Sequence, residues 1–163
     1  MSHTDYIRRS EGLPLEEILL ARIPIVLEVM DKVTLQHKWD YAYAEGKWTV
    51  KELIQHLIDC ERIFSYRALH IARQDTSVLS GFDENLYVDN SKGECKEPQD
   101  LREEYITLMK SVYYQFKGFT TEALALKNQM AHYVLSVEEI GRLNYGHTLH
   151  HIDILLERYL DKK

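Results

Sequence analysis

Apolar residues recur at three- and four-residue spacing over four stretches of the chain, and this period predicts four helices. The first spans residues 14–33. Leu15, Ile18, Leu19, Ile23, Val26 and Met30 share its apolar side, and Pro14 suits a first turn. Pro24 lies inside the pattern, so a kink or a break is expected there. The second opens on Thr49-Val50-Lys51-Glu52, a capping box in which Glu52 reaches back to the capping threonine. It continues to about residue 73, with Leu53, His56, Leu57, Cys60, Phe64 and Ala68 on its apolar side. The third covers residues 99–117 and ends near Gly118; Leu101, Tyr105, Leu108, Val112 and Phe116 form its stripe. Ser136-Val137-Glu138-Glu139 is a second capping box and starts the fourth helix, which runs to about residue 160.

Between these lie an aromatic-rich connection at 36–47, a long loop at 74–98 and an irregular connection at 119–133. The long loop contains Gly81-Phe82-Asp83-Glu84-Asn85, and loops of such length in compact domains are often functional. Strand signals are weak and no repeat is visible. Seven glycines and three prolines are few for a turn-rich chain. The economical architecture is all-α: one domain over residues 1–163, folded as an antiparallel four-helix bundle.

Charge narrows the function classes. A net charge of -6 argues against a nucleic-acid binder that neutralises phosphates. No polybasic run suits a membrane surface, and no stretch is long and apolar enough to span one. Residues 1–20 carry charges throughout and lack an apolar signal core. The two cysteines, Cys60 and Cys95, show no disulfide framework, so a cytoplasmic location is expected.

The candidate chemistry sits in Gly146-His147-Thr148-Leu149-His150-His151-Ile152-Asp153. His147 and His151 are separated by about 40° around a helix, against about 60° for His147 and His150, so His151 is the preferred partner. Two imidazoles so placed can hold one divalent ion, and His56 on the second helix offers a third ligand. Three neutral ligands leave an ion its full charge and an open position. Each residue also has an ordinary alternative. The pair arises by chance in a chain with eight histidines, and His56 suits a hydrogen-bonded core position. Cys60, one turn on, reads more simply as a core residue than as a fourth ligand. Asp59 is a candidate base or acceptor for a ligand N–H, or a plain exposed carboxylate. Arg67 lies about 20° off the face of His56, where it could receive an anionic substrate or pair with an acid. There is no His-Glu-x-x-His, no Glu-x-x-His pair and no glycine-rich phosphate loop.

The segment Gly46-Lys47-Trp48-Thr49-Val50-Lys51-Glu52-Leu53-Ile54-Gln55-His56-Leu57-Ile58-Asp59-Cys60-Glu61-Arg62 resembles the second-helix signature of the DinB/YfiT-like superfamily. Gly81-Phe82-Asp83-Glu84-Asn85 resembles the loop of one branch, and Gly146-His147-Thr148-Leu149-His150-His151 resembles the histidine motif of the last helix. The resemblance implies an up-down-down-up four-helix bundle, often dimeric, with zinc or nickel on His56, His147 and His151. It implies a metal-dependent enzyme with a small-molecule substrate, first of the thiol S-transferase type. There a low-molecular-weight thiol, deprotonated by the metal, would attack an electrophile. Arg67 and residues 82–85 would help bind or cover the substrate. The alternatives are a metal-dependent hydrolase and a non-catalytic, metal-binding stress protein.

Overall fold

The computed structural model describes residues 2–91, 96–130 and 133–160; Cys95 lies outside them. In chain order the elements are α1 (His3–Arg8), α2 (Leu15–Leu35), α3 (Val50–Ala72), α4 (Glu84–Ser91), α5 (Pro98–Lys117), α6 (Thr121–Ala125), β1 (Lys127–Met130), β2 (Tyr133–Ser136) and α7 (Val137–Ile154). A single π-helical turn, Leu155–Tyr159, extends α7. The four long helices are the four expected from the apolar period.

Their starts are fixed locally. Thr49 Oγ1 accepts from the Glu52 backbone N–H at 3.2 Å, and the Thr49 N–H donates to the Glu52 carboxylate at 2.7 Å. Ser136 and Glu139 repeat this exchange at 3.1 and 2.7 Å. Each capping box satisfies two backbone or side-chain groups that a bare helix end would leave open. The expected interruption at Pro24 does not break α2. Pro24 and Leu20, four residues earlier, are both exposed, so the carbonyl that loses its partner faces water.

Side-chain pairings give the bundle its direction. Asp31 meets Arg102 and Glu16 meets Tyr113, so α2 and α5 are antiparallel. Glu61 meets Asn144 and His56 meets His151, so α3 and α7 are antiparallel. Arg62 meets Glu104 and Ser65 meets Gln115, which makes α3 and α5 parallel. Arg142 reaches the Leu13 carbonyl while Lys38 reaches that of Tyr159, which makes α2 and α7 parallel. The order is therefore up-down-down-up, with α2 facing α3 across the middle.

Two apolar clusters fill the interior. Val26, Met30, Leu53, Leu57, Leu101, Tyr105, Met109 and Ile152 belong to one. Leu19, Cys60, Phe64, Ala68, Val112, Phe116, Ile140 and Leu143 belong to the other. Between them, where α2, α3 and α7 meet, lies a buried polar contact. Both guanidinium ends of Arg22 reach the Glu61 carboxylate, and Asn144 Nδ2 donates to Glu61 Oε1 at 3.1 Å.

Several elements escape the apolar pattern because they are short. α1 has no fully buried residue and α4 has one, Val88. The connection expected to be irregular contains α6 and an antiparallel hairpin, paired from Lys127↔Ser136 to Met130↔Tyr133. α1 nonetheless matters for the site. It lies on α7 at Gly146, where a Cβ would overlap the Tyr6 backbone carbonyl. Only glycine allows that approach. Arg9 completes the docking with Asp153 at 2.7 Å. No helix among the described residues is long and apolar enough to cross a membrane.

Candidate metal centre

Antiparallel packing of α3 on α7 brings His56 against the His147/His151 face. All three Nε2 atoms converge. The separations are 3.3 Å for His56–His147, 3.2 Å for His56–His151 and 3.1 Å for His147–His151. Two nitrogens bound to one tetrahedral zinc-type ion at about 2.0–2.1 Å lie roughly 3.3 Å apart, so the triangle fits a single ion. His56 is buried, whereas His147 and His151 keep part of their surface open. The three form a cluster able to hold a metal ion.

The chemistry of the donors supports that fit. Burial pushes His56 down to about 4 and His151 down to about 3, and it holds His147 well below the usual histidine range. Neutral imidazole is the form that binds metal. The buried Nδ1 of His151 has no hydrogen-bond partner among the described residues. The sign of the pH effect follows. An unfolded histidine takes a proton near pH 6.5, whereas these folded ones resist until about pH 4 or lower. Their stability contribution is complete above about pH 6.5 and is lost as pH falls towards about 4. Metal-stripped protein is therefore expected to lose stability as pH falls through that window. Urea midpoints at about pH 7 and about pH 5 measure it; equal midpoints would contradict the burial argument.

The triangle opens into a cleft of about 490 Å³. Trp48, Cys60, Phe64 and Arg67 line it from the α3 side, Tyr6 from α1, and Gly81, Phe82 and Glu84 from the former long loop. Tyr133 of β2 and His150 of α7 complete it. The Tyr6 ring meets His147 edge-on at 5.7 Å, and Trp48 lies 4.8 Å from the His56 ring. His150 borders the cleft without joining the triangle.

The other expected site residues divide. Arg67 lines the cleft. Asp59 does not: it sits about 100° around α3 from Cys60, on the side that faces α5. There it accepts from Gln55 Nε2 at 2.8 Å and lies 3.6 Å from Arg62, while burial raises its carboxyl. Asp59 is thus removed from the cleft in which it was expected to serve as base. Cys60 is a core residue 3.6 Å from His56 and outside the ligand triangle, and burial pushes its thiol up.

Of the loop residues 82–85 expected at the substrate, Phe82 and Glu84 line the cleft, and Glu84 carries the carboxylate among the described lining residues. Sequence reasoning missed Tyr6 and Tyr133. Tyr6 and Tyr133 had no signal, because α1 and the hairpin that carry them were not foreseen.

Fold and cluster define an all-α bundle with a three-histidine centre in an open cleft. The chain belongs to the DinB superfamily, whose family model matches residues 21–155. It is similar to "Putative metal-dependent hydrolase YfiT" of Bacillus subtilis (strain 168), with 24% identity over 152 residues, 85% of this chain and 79% of that protein. A solved structure of YfiT from Bacillus subtilis, reported as a probable metal-dependent hydrolase with an unusual four-helix bundle topology, matches with a TM-score of 0.69. The match has 18% identity and covers 85% of this chain and 84% of that one, which establishes the shared fold.

Proposed function

We propose that this chain is a divalent-metal-dependent hydrolase of a small molecule, with zinc or nickel held by His56, His147 and His151. The observation that carries the proposal is the convergence of three neutral Nε2 donors at the floor of an open cleft. A divalent ion there supplies Lewis acidity, polarising a substrate oxygen and lowering the pKa of water. The chain does the rest. Glu84, at the cleft, is the residue we assign to accept the proton from water. Tyr6, Trp48 and Phe64 wall the donors and limit solvent around them. The similarity to a protein described as a metal-dependent hydrolase supports this class. The proposal includes a homodimer working in the cytoplasm, on the grounds given with the sequence.

Thiol transfer, first in order from the sequence, finds no support in these relatives, and hydrolysis takes its place. One assay separates them. Metal-loaded and metal-stripped protein are compared on chromogenic esters, amides and phosphoesters, and on an electrophilic aromatic halide with and without a small thiol. Metal-dependent cleavage without thiol supports the hydrolase. Turnover that needs both metal and thiol replaces it with the transferase.

A further inference from the structure

We propose that the substrate of this cleft is an anion, and that Arg67 binds its carboxylate or phosphate group. This inference rests on the metal-centre reading and adds the substrate class. Two arginines of the chain are buried among the described residues, Arg22 and Arg67. Arg22 has a carboxylate, that of Glu61. Arg67 is 5% exposed and no acid among the described residues pairs with it; its Nη2 donates to the Ser80 carbonyl oxygen at 2.8 Å. Its guanidinium lies 5.9 Å from the Phe64 ring and 5.6 Å from the Phe82 ring. Burial is the main influence on its guanidinium and works against the charged form.

A buried cation without a counter-ion is costly, and most of that cost is recovered when an anion arrives. The guanidinium fork matches the paired oxygens of a carboxylate or phosphate. The placement suits a substrate rather than a structural ion. Arg67 lines the histidine cleft and also an adjoining hollow of about 460 Å³ bounded by Val78 and Ser80. The Phe64 ring lies 5.9 Å from the guanidinium and 5.9 Å from the His147 ring, and all of them line the same cleft. A molecule held at Arg67 by one end therefore reaches the histidines with the other. The Phe64 and Phe82 rings shield the guanidinium from water, which strengthens an ion pair formed there.

The test uses the full chain loaded with cobalt, whose thiolate charge-transfer band reports ligand arrival. ω-Mercaptoalkanoates of increasing length are titrated beside the matching ω-mercaptoalcohols and ω-mercaptoalkylphosphonates. At one length the acid should bind about tenfold or more tightly than the alcohol, the gain typical of a charge-assisted hydrogen bond. Whether carboxylate or phosphonate gains more identifies the anion. In Arg67→Met the advantage should vanish while the alcohol's affinity is kept. Arg67→Lys, which keeps charge but loses the fork, should retain part of it. Equal binding of acid and alcohol at every length, or an advantage that survives in Arg67→Met, overturns the proposal while the metal centre stands. Failure to take up cobalt overturns the metal centre, and the proposal with it.

Discussion

His147→Ala is expected to abolish metal binding, while His150→Ala leaves it intact. After loading with zinc or nickel and desalting, wild-type protein should hold about one ion per chain, as three imidazoles around one ion require. His147 Nε2 is 3.1 Å from that of His151 and 3.3 Å from that of His56, so its loss removes one corner of the triangle. Two nitrogens on two different helices remain. Loss of an outer partner of a metal ligand already costs about 10–100-fold in affinity, and a direct ligand should cost at least about that upper figure. His150 provides the control: it borders the same cleft, one residue from His151, yet lies outside the triangle. Mass-spectrometric metal content of the three proteins measures the effect. Equal content in wild type and His147→Ala would sink the assignment. Metal lost from both variants would point to a general disturbance of α7 rather than to ligation.

The same residues show how much of the site a sequence can carry. Helix period and two capping boxes located the four long helices, because both signals are local and energetically strong. The choice of His151 over His150 was also local, since it depends only on angles around one helix. His56 is 91 residues from His147, and no local rule joins them. The family resemblance did, and the antiparallel packing of α3 on α7 supplies the physical reason. Asp59 illustrates the limit. Its spacing from His56 was compatible with a role, but the cleft opens on the Cys60 side of α3, and that is decided by what packs over the helix. The covering pieces, α1, α4 and the hairpin, bury too little to leave a period in the sequence. They bring Tyr6, Glu84 and Tyr133 to the cleft. The part of the site that should govern substrate choice is therefore the part written most faintly.

Arg22→Met is expected to destabilise the fold by about 3–5 kcal/mol, the usual cost of leaving one member of a buried ion pair uncompensated. Arg22 is fully buried and Glu61 is 3% exposed, so water cannot take over for the missing guanidinium. Among the described residues, the stranded carboxylate would keep the Asn144 amide at 3.1 Å. A second change discriminates between the value of the pair and the cost of breaking it. Arg22→Met with Glu61→Gln removes both charges and keeps a side-chain oxygen for Asn144 to donate to. Removing both charges of a buried pair costs far less than stranding one of them. The double variant should therefore recover most of the loss, and urea denaturation of the three proteins gives the comparison. If Arg22→Met alone is nearly silent, the pair is not desolvated as its burial indicates. If the double variant is as unstable as the single one, the stability comes from the shape of Arg22 rather than its charge. The pair sits where α2, α3 and α7 meet, and Arg22 is among the charges that hold His147 neutral. Its integrity bears on the register of α3 against α7, and that register sets the 3.1–3.3 Å triangle of histidine nitrogens. Metal affinity should thus follow stability in this series, falling in Arg22→Met and returning in the double variant.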